Sequence, residues 1–261
     1  MAFALGSAAA RAGYRLEAFE TLGSTNDEAL KRARDGETGP IWFVTASQTQ
    51  GRGRRGRAWQ GPPGNLAASL LISSAVPVHS AATLGFVAGL SLSDALLTLD
   101  AGAEIALKWP NDVLANGAKI SGIMLESENR AGEMTAVVVG IGVNVVAAPH
   151  GLPYPATCLS DCGLTVTAET LFSALSDRWS ERYAQWDEGR GMPSIRAAWL
   201  QRAAGIGGPV AVTAGPKEIR GIFETLDAEG RLVVLTADGS RIPVSAGDVH
   251  FGDAASLPAA G

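Results

Sequence analysis

Residues 51–57 (GRGRRGR) place four arginines and three glycines in one short segment of a chain whose formal net charge is -5. A guanidinium group stays protonated and presents a planar fork of donors that matches phosphate and carboxylate oxygens. Glycine lets the backbone approach a ligand closely and adopt conformations that other residues avoid. The composition of this segment therefore predicts a loop that binds an anion.

Two other interpretations fit the same loop. Arginine–glycine runs occur in disordered RNA-binding segments, and a run of like charges is often a solvated surface loop. The acidic net charge of -5 argues against a general nucleic-acid binder, because such proteins carry a basic face. Cations concentrated at one place in an acidic chain suit a small anionic ligand better. The loop alone does not decide among the three.

A second polar cluster stands where a helix is predicted to begin. Residues 24–28 (STNDE) precede the helix-forming residues 29–33 (ALKRA). Thr25 and Glu28 fit a capping box, and the acidic first turn suits the helix dipole. The same hydroxyl and amide groups would hydrogen-bond a polar ligand at the helix start. The two roles are compatible.

Lys108 and Lys119 flank a third segment with unusual composition. Between them, residues 109–112 (WPND) indicate a turn, and Asn116-Gly117 is a strong hairpin signal between two apolar runs. We expect the hairpin to bring the lysines onto neighbouring strands, where they converge on an anion. Ordinary surface lysines are the alternative.

The elements that position these groups follow from periodicity. The β-branched run 135–146 predicts a buried strand that Asn144 interrupts, and a buried amide needs partners, so Asn144 is either structural or a ligand contact. Alternation predicts further strands at 14–19, 41–46 and 65–72, and helical spacing predicts helices at 81–99, 168–186 and 193–203. Residues 1–13 are rich in alanine and are expected to fray.

From residue 209 the pattern changes to short alternating segments. Turn signals at 214–216, 227–230 and 237–239 separate them, which is typical of a small barrel or sandwich. We therefore divide the chain into a first domain, residues 1–205, and a C-terminal domain, residues 206–261.

Other features exclude several classes of protein. Cys158 and Cys162 form a lone C-x3-C pair, which is weak as a metal site and fits free thiols in a reducing cytoplasm. The N-terminus lacks the early positive charge of a signal peptide. No run approaches the ~18 apolar residues that a membrane-spanning helix needs. We expect a soluble, cytoplasmic protein.

In chain order, these motifs resemble those of the biotin–protein ligases, also called biotin–[acetyl-CoA-carboxylase] ligases. The resemblance runs from Ser24 to the C-terminus and depends mainly on GRGRRGR at 51–57 and KWPND at 108–112. It implies an α+β catalytic domain like that of class II aminoacyl-tRNA synthetases, followed by a small SH3-like β-barrel. Too few residues precede Ser24 for a helix-turn-helix, which implies the short class without a DNA-binding domain.

The resemblance also implies the reaction. Biotin and ATP give biotinyl-5′-adenylate and pyrophosphate, and a specific lysine of a biotin carboxyl carrier domain then attacks the adenylate. The residues implied to hold the biotin ring are Ser24, Thr25, Asn26 and Gln48. Those implied to fold over the biotin carboxyl group and the phosphate are Arg52, Gly53 and Arg54.

On the nucleotide side, the resemblance implies that Lys108 contacts the α-phosphate and Lys119 the biotin carboxylate. Trp59 would pack against the adenine and Asn144 would hydrogen-bond it. Mg²⁺ is expected on the phosphates, with Asp112 as a helper. Arg54, Lys108 and Lys119 are the implied catalytic residues.

Two rivals stand beside this interpretation. A lipoate–protein ligase has a related fold and the same adenylate chemistry, and a nucleic-acid-binding module would use the arginine loop differently. The expected partners are biotin, ATP and a carrier domain, with no DNA and no membrane. The resemblance allows a homodimer, although the sequence has no clear edge-strand signal. No role is assigned to Arg55, Arg57, Cys158 or Cys162, and no residue is assigned as the general base.

Overall fold

The computed structural model describes residues 2–100, 102–129, 135–215 and 217–252. Two β-sheets organise the chain. One is a mixed sheet of seven strands from residues 15–143, and the other is an antiparallel sheet of five strands from residues 209–251. The strands of the first sheet are β1 (Arg15–Phe19), β2 (Ile41–Thr45), β3 (Leu66–Ser74), β4 (Ile105–Lys108), β5 (Asp112–Ala115), β6 (Ala118–Asn129) and β7 (Thr135–Val143).

The seven-stranded sheet has the order β1-β2-β3-β7-β6-β5-β4. β1 and β2 are parallel, and the other neighbours are antiparallel. The three long strands β3, β7 and β6 lie side by side at its centre, in a register that sets Ala67 and Gly122 on either side of Gly142. These three small residues form the floor of a cavity.

The helices agree closely with the sequence periodicity. The predicted helix 168–186 is confirmed at both ends, because Thr167 accepts a hydrogen bond from the amide of Thr170 at 3.3 Å and Asp187 leaves the helical conformation. The helices are α1 (Ser7–Arg11), α2 (Thr25–Arg34), α3 (Val78–Ala81), α4 (Leu84–Thr98), α5 (Ala168–Trp186) and α6 (Met192–Leu200).

Helices cover both faces of the sheet. β2 (IWFVT) is buried throughout, and because its side chains alternate between faces, Ile41 and Phe43 pack under α2 while Trp42 and Val44 enter the main core. Trp42 makes edge-to-face contacts with rings of α5 at centroid distances of 5.5 and 5.9 Å. The α2 helix is short, so it leaves part of its face of the sheet open for a ligand.

The segment Val78–Thr98 corrects one expectation. Its length and mean hydropathy of 1.4 match those of a membrane-spanning helix, although we expected no stretch to approach this. In the fold, 78% of its 18-residue apolar window is buried, since α4 packs against the sheet, α5 and α6. A helix that is apolar on all sides is required at this position in the core.

The N-terminal segment corrects a second expectation, because residues 7–11 form α1 and do not fray. The amides of Ala8 and Ala9 donate to Oδ1 of Asp177 at 2.8 and 2.9 Å, and the amide of Gly6 donates to Ser176. A carboxylate at a helix N-terminus satisfies amides that have no partner within the helix. The contact therefore fixes α1 on α5.

The C-terminal sheet packs against the end of the larger sheet. The indole of Trp109 donates to the carbonyl of Gly230 at 3.0 Å, and the ring of Phe251 lies 5.3 Å from Nζ of Lys108. Both contacts place the small sheet beside the KWPND segment. Its strands are β8 (Pro209–Ala214), β9 (Lys217–Leu226), β10 (Leu232–Leu235), β11 (Arg241–Val244) and β12 (Asp248–Phe251). Their order in the sheet is β11-β10-β9-β8-β12.

Candidate functional site

A cavity opens on the face of the sheet that α2 leaves uncovered. Its floor is the central row of small residues, where a Cβ on Gly142 would lie 2.5 Å from the indole of Trp59 and one on Gly122 would lie 3.1 Å from it. Glycine at both positions therefore lets the Trp59 indole approach the strands closely. The predicted site residues that line this cavity are Ser24, Thr25, Asn26, Gln48, Arg52, Gly53, Arg54, Trp59, Asp112 and Lys119.

The start of α2 forms one side of the cavity, and the cap differs from the predicted one. Ser24 is the N-cap, with an extended backbone and a side chain that accepts from the amide of Asp27 at 3.2 Å. The capping box at Thr25 and Glu28 is wrong because Thr25 is already helical. Its amide and hydroxyl both donate to Oε1 of Gln48, at 2.9 and 3.2 Å.

Asn26 is held in one orientation by two further residues. Its Oδ1 accepts from the hydroxyl of Ser69 at 2.5 Å, and its Nδ2 donates to Oε2 of Glu126 at 2.9 Å. A Cβ on Gly140 would overlap the amide of Asn26, so glycine is needed directly beneath it. A buried network in which each group has a partner is rigid, and here it presents a fixed set of donors and acceptors.

The arginine loop forms a tight hairpin over this site. The amide of Gly53 donates to the carbonyl of Arg57 at 2.7 Å, and the amide of Trp59 donates to the carbonyl of Gly51 at 2.9 Å. At the tip, Arg55 and Gly56 have φ values of 57° and 72°. Glycine adopts that conformation freely, whereas for an arginine it carries strain.

The arginines of the loop have different partners. Arg52 pairs with Glu126 at 2.9 Å and with Asp27 at 2.5 Å, at the α2 side of the cavity. Arg54 reaches the opposite side and donates to Oδ1 of Asn111 at 2.7 Å. Burial lowers the pKa of Arg54, and the neighbouring charge of Arg55 lowers it further. Arg54 is thus the guanidinium group of the loop that is most removed from water.

The lysine side of the cavity corrects the predicted hairpin. Asn116 and Gly117 do form the turn, with φ values of 49° and 79°, but it joins β5 to β6. The WPND residues make a turn of their own, so β5 lies between Lys108 on β4 and Lys119 on β6. The two lysines are therefore not on neighbouring strands.

Asp112 lies between the two lysines and offsets part of their positive charge. It is the register partner of Lys108, and its Oδ1 is 2.7 Å from Nζ of Lys119. Burial lowers the pKa of Lys108, and Lys119 adds to that effect while Asp112 and Asp248 oppose it. These two carboxylates lie among Lys108, Lys119 and Arg54, which leaves a local excess of positive charge that an anionic ligand would neutralise.

Lys119 also marks the junction with a second cavity. Its Nζ lies 5.8 Å from the ring centroid of Trp59 and 5.4 Å from that of Tyr154. Lys119, Trp59 and Tyr154 line both cavities, and the second one is also lined by Asn144. Two ligands, or two halves of one ligand, would therefore meet at Lys119.

Asn144 lines this second cavity and carries a buried acceptor that has no partner in the part of the chain that the structure describes. Its Nδ2 donates to the carbonyl of Thr157 at 3.1 Å, while its buried Oδ1 has no hydrogen-bond partner among the described residues. Because an orphaned buried acceptor is costly, a ligand with an N–H group would be stabilised there. Lys108, by contrast, lines neither cavity; it lies behind Asp112, against Phe251.

Four residues of the site were not found from the sequence. Glu126, Asn111 and Tyr154 lie outside the residues that the motif comparison singled out as ligand contacts, and Asp248 comes from the C-terminal sheet. The signal for Asn111 was present, because it is part of KWPND. Glu126 lies on β6, and the packing of α2 against this strand places it beside Asn26.

The described residues do not form a resident metal site. No group of three or more histidine, cysteine or acidic side chains among them could hold a metal ion, and Asp112 is engaged by Lys119. Cys158 is buried and Cys162 partly buried, both as free thiols. The donor set therefore does not fit a metal held by the protein alone.

Comparison with known proteins gives matches along most of the chain. Residues 19–144 match the Biotin/lipoate A/B protein ligase family, and residues 205–252 match the Biotin protein ligase C terminal domain. The Biotin–[acetyl-CoA-carboxylase] ligase of Paracoccus denitrificans is 42% identical over 236 residues, 88% of this chain and 97% of the relative. The relative of that name from Mycobacterium tuberculosis is 36% identical over 251 residues, 92% and 90% of the two chains.

Among solved structures, the biotin protein ligase from Aquifex aeolicus in complex with biotin and ATP superposes with a TM-score of 0.76 at 26% identity. The match covers 91% of this chain and 99% of that one. The predicted fold class, an α+β catalytic domain followed by an SH3-like β domain, is confirmed. Because the chain is 42% and 36% identical to these two relatives over 88% and 92% of its length, it belongs to the biotin–protein ligase family.

Proposed function

We propose that this chain activates biotin with ATP to biotinyl-5′-adenylate and transfers biotin to a lysine of a biotin carboxyl carrier domain. The observation that carries the proposal is the pair of adjoining cavities that share Lys119, Trp59 and Tyr154. One has a fixed polar network suited to a neutral ring, and the other has an unsatisfied acceptor suited to a base. Their junction is cationic, as joining a carboxylate to a phosphate requires.

In this proposal, the first cavity holds biotin. The ureido ring needs both donors and acceptors, which the network around Asn26 and Gln48 supplies; Ser24 and Thr25 complete that end. The biotin carboxylate would lie at Lys119, beneath Arg52, Gly53 and Arg54 of the loop. Trp59 would pack against the adenine, whose exocyclic amine would donate to the orphaned Oδ1 of Asn144.

The chemistry of the first step is mainly electrostatic. Biotin carboxylate and ATP repel each other, and attack on the α-phosphorus spreads negative charge over the phosphate oxygens as pyrophosphate leaves. Fixed cations aimed at that charge lower the barrier most where water is excluded. We assign this role to Lys108, Lys119 and Arg54, with Lys108 reaching the α-phosphate.

Mg²⁺ would enter with ATP, because this ion is usually bound by phosphates with one or two carboxylates. Asp112 is the carboxylate proposed to contact it. The described residues do not form a site for the ion by themselves.

In the second step, the carrier lysine in its neutral form attacks the acyl carbon, and AMP leaves. A mixed anhydride hydrolyses readily, so the intermediate must be shielded until the carrier arrives. The arginine loop would provide that shield, opening for substrates and closing over the adenylate.

The remaining expectations form part of the same proposal. We assign residues 1–205 to the catalytic domain and 206–261 to the C-terminal domain. The acceptor would be the carrier domain of acetyl-CoA carboxylase or a related carboxylase, in the cytoplasm, without DNA or membrane. A homodimer is allowed by the family resemblance.

Pyrophosphate exchange into ATP tests the function directly, with biotin and then lipoate as the added acid. We expect exchange with biotin and little with lipoate. The lipoate alternative has less support, because the relatives at 42% and 36% identity are named for biotin, although the family model covers both classes. Exchange supported by lipoate and not by biotin would reverse the proposal.

A further inference from the structure

Asp248 joins the C-terminal sheet to the tip of the arginine loop. It lies at the start of β12, and its Oδ2 accepts from Nη1 of Arg55 at 2.8 Å and from Nη2 of Arg57 at 2.7 Å. Among the described residues, no other side chain of β8–β12 hydrogen-bonds the loop. Asp248 also lines the first cavity, so its contact lies at the cavity mouth.

The loop needs a counter-charge at this position. Arg54, Arg55 and Arg57 lie close together and repel one another, and Arg55 holds a left-handed conformation that a free loop would relax. Burial acts to raise the pKa of Asp248, but the hydrogen bond and charge of Arg57, with the charges of Arg55 and Arg54, outweigh it and lower the pKa. The carboxylate is therefore ionised at neutral pH and offsets the repulsion.

An ordinary surface ion pair does little for global stability, typically about 0–1 kcal/mol. This pair differs in its placement, because one carboxylate is shared by two arginines and connects the C-terminal sheet to the arginine loop. Its oxygen holds the strained tip, while Arg52 and Arg54 on the same hairpin face the cavity. The expected effect therefore concerns where the loop sits, and only to a small extent whether the protein folds.

We propose that Asp248 is a positioning residue, which binds Arg55 and Arg57 so that the arginine loop stays closed and the acyl-adenylate is retained. The retention part rests on the proposed function; the anchoring of the loop does not. The proposal gives Arg55 and Arg57 a shared role as anchors of the loop and gives the C-terminal sheet a part in shielding the intermediate.

The test uses Asp248→Ala and Asp248→Asn in the full chain, with Glu224→Ala as the matched control. Glu224 pairs with Arg241 at 2.8 Å on the same sheet and has no contact with the loop. Limited trypsin digestion of ligand-free protein, mapped by mass spectrometry, measures cleavage after Arg54, Arg55 and Arg57. We expect about tenfold faster cleavage in Asp248→Ala, less in Asp248→Asn and no change in Glu224→Ala, as for a loop whose opening is released.

The second readout is dissociation of the adenylate. We expect release to be about tenfold faster in Asp248→Ala and unchanged in Glu224→Ala, whose pyrophosphate exchange should also stay the same. Adding Arg55→Ala and Arg57→Ala to Asp248→Ala should increase cleavage after Arg54 no further, because the three residues act together.

Normal cleavage and normal release in both Asp248 variants would overturn the proposal. So would tighter ATP binding with slower release, which would mean that Asp248 competes with phosphate for the arginines. If the wild-type protein exchanges no pyrophosphate with biotin, the proposed function fails. The cleavage rates still decide whether Asp248 anchors the loop.

Discussion

On the α2 side of the first cavity, polar side chains bind one another, whereas on the lysine side several cations lie near two carboxylates, Asp112 and Asp248. Asn26, Ser69 and Glu126 form a closed network. Lys108 and Arg54 are both buried enough for their pKa values to be lowered. A neutral ring is best recognised by groups that are already fixed. A developing negative charge gains most from cations that lack neutralisation before it forms.

The largest effect should come from the under-neutralised side. Lys108→Ala removes the cation proposed to meet the α-phosphate, so we expect biotin-dependent pyrophosphate exchange to fall by about 10²–10³-fold, as for loss of one oxyanion-stabilising group. Biotin affinity, measured by calorimetry, should change little. A Lys108→Ala protein with near-normal exchange would remove Lys108 from the chemistry.

Lys119→Ala should come next, with an effect on binding. This lysine is proposed to pair with the biotin carboxylate, so biotin affinity should fall by about tenfold or more, which corresponds to one charge-assisted hydrogen bond. ATP affinity should fall less. Calorimetric titrations that show equal losses for both ligands would contradict the assignment.

Arg54→Gly tests the loop between the two sides. The variant removes a guanidinium group from over the intermediate and adds backbone freedom, so we expect about tenfold faster escape of the adenylate and labelling of unrelated proteins. Labelling is measured by blotting for biotin in a protein mixture. Unchanged retention together with unchanged acceptor selectivity would refute this role.

Ser69→Ala tests the pre-formed network with a smaller change. Loss of the Ser69 hydroxyl, which lies 2.5 Å from Oδ1 of Asn26 and 2.7 Å from Oγ1 of Thr25, should cost about 1 kcal/mol, or about fivefold in biotin affinity. The KM for ATP should stay the same, because Ser69 contacts the network proposed to bind biotin and does not line the cavity proposed for the adenine. A larger effect on ATP than on biotin would show that the two sides are not separate.

The smallest effect at neutral pH is expected for Lys108→Arg. A lysine whose pKa is lowered loses its charge as pH rises through that lowered value, so the wild-type exchange rate should decline on the alkaline side. Arginine keeps its charge, so the decline should move to higher pH in the variant. Identical pH profiles would mean that the charge of Lys108 does not control the rate.

Much of the site was predictable because its motifs are continuous in sequence. The arginine loop, the KWPND turn and the start of α2 each bring several cavity-lining residues at once. Contacts between distant elements were not predictable. Glu126 on β6 meets Asn26 on α2 although 100 residues separate them in sequence, and β5 separates the two lysines that the predicted hairpin placed on neighbouring strands. The cap at Ser24 was missed by one residue because Thr25 is used by Gln48.

The fold was predictable for a similar reason. The helix 168–186 follows from a strong apolar period with a threonine at its start, and both are local properties. The docking of α1 depends on Asp177, which is 168 residues away from Ala9, and no local pattern reports it. Contacts between elements thus account for most of the corrections.

Trp109 is directly bonded to the residue that carries the proposed catalytic ammonium, and its indole is buried against the carbonyl of Gly230. A fragment that stops at residue 205 would leave that N–H without its acceptor and would uncover the ring of Phe86, which Gly230 contacts closely. Truncation is therefore a poor route to a minimal enzyme, because the cut would disturb Lys108 through its own neighbour. Engineered versions of this protein should keep both units and make their changes at the exposed positions of β9 and β11.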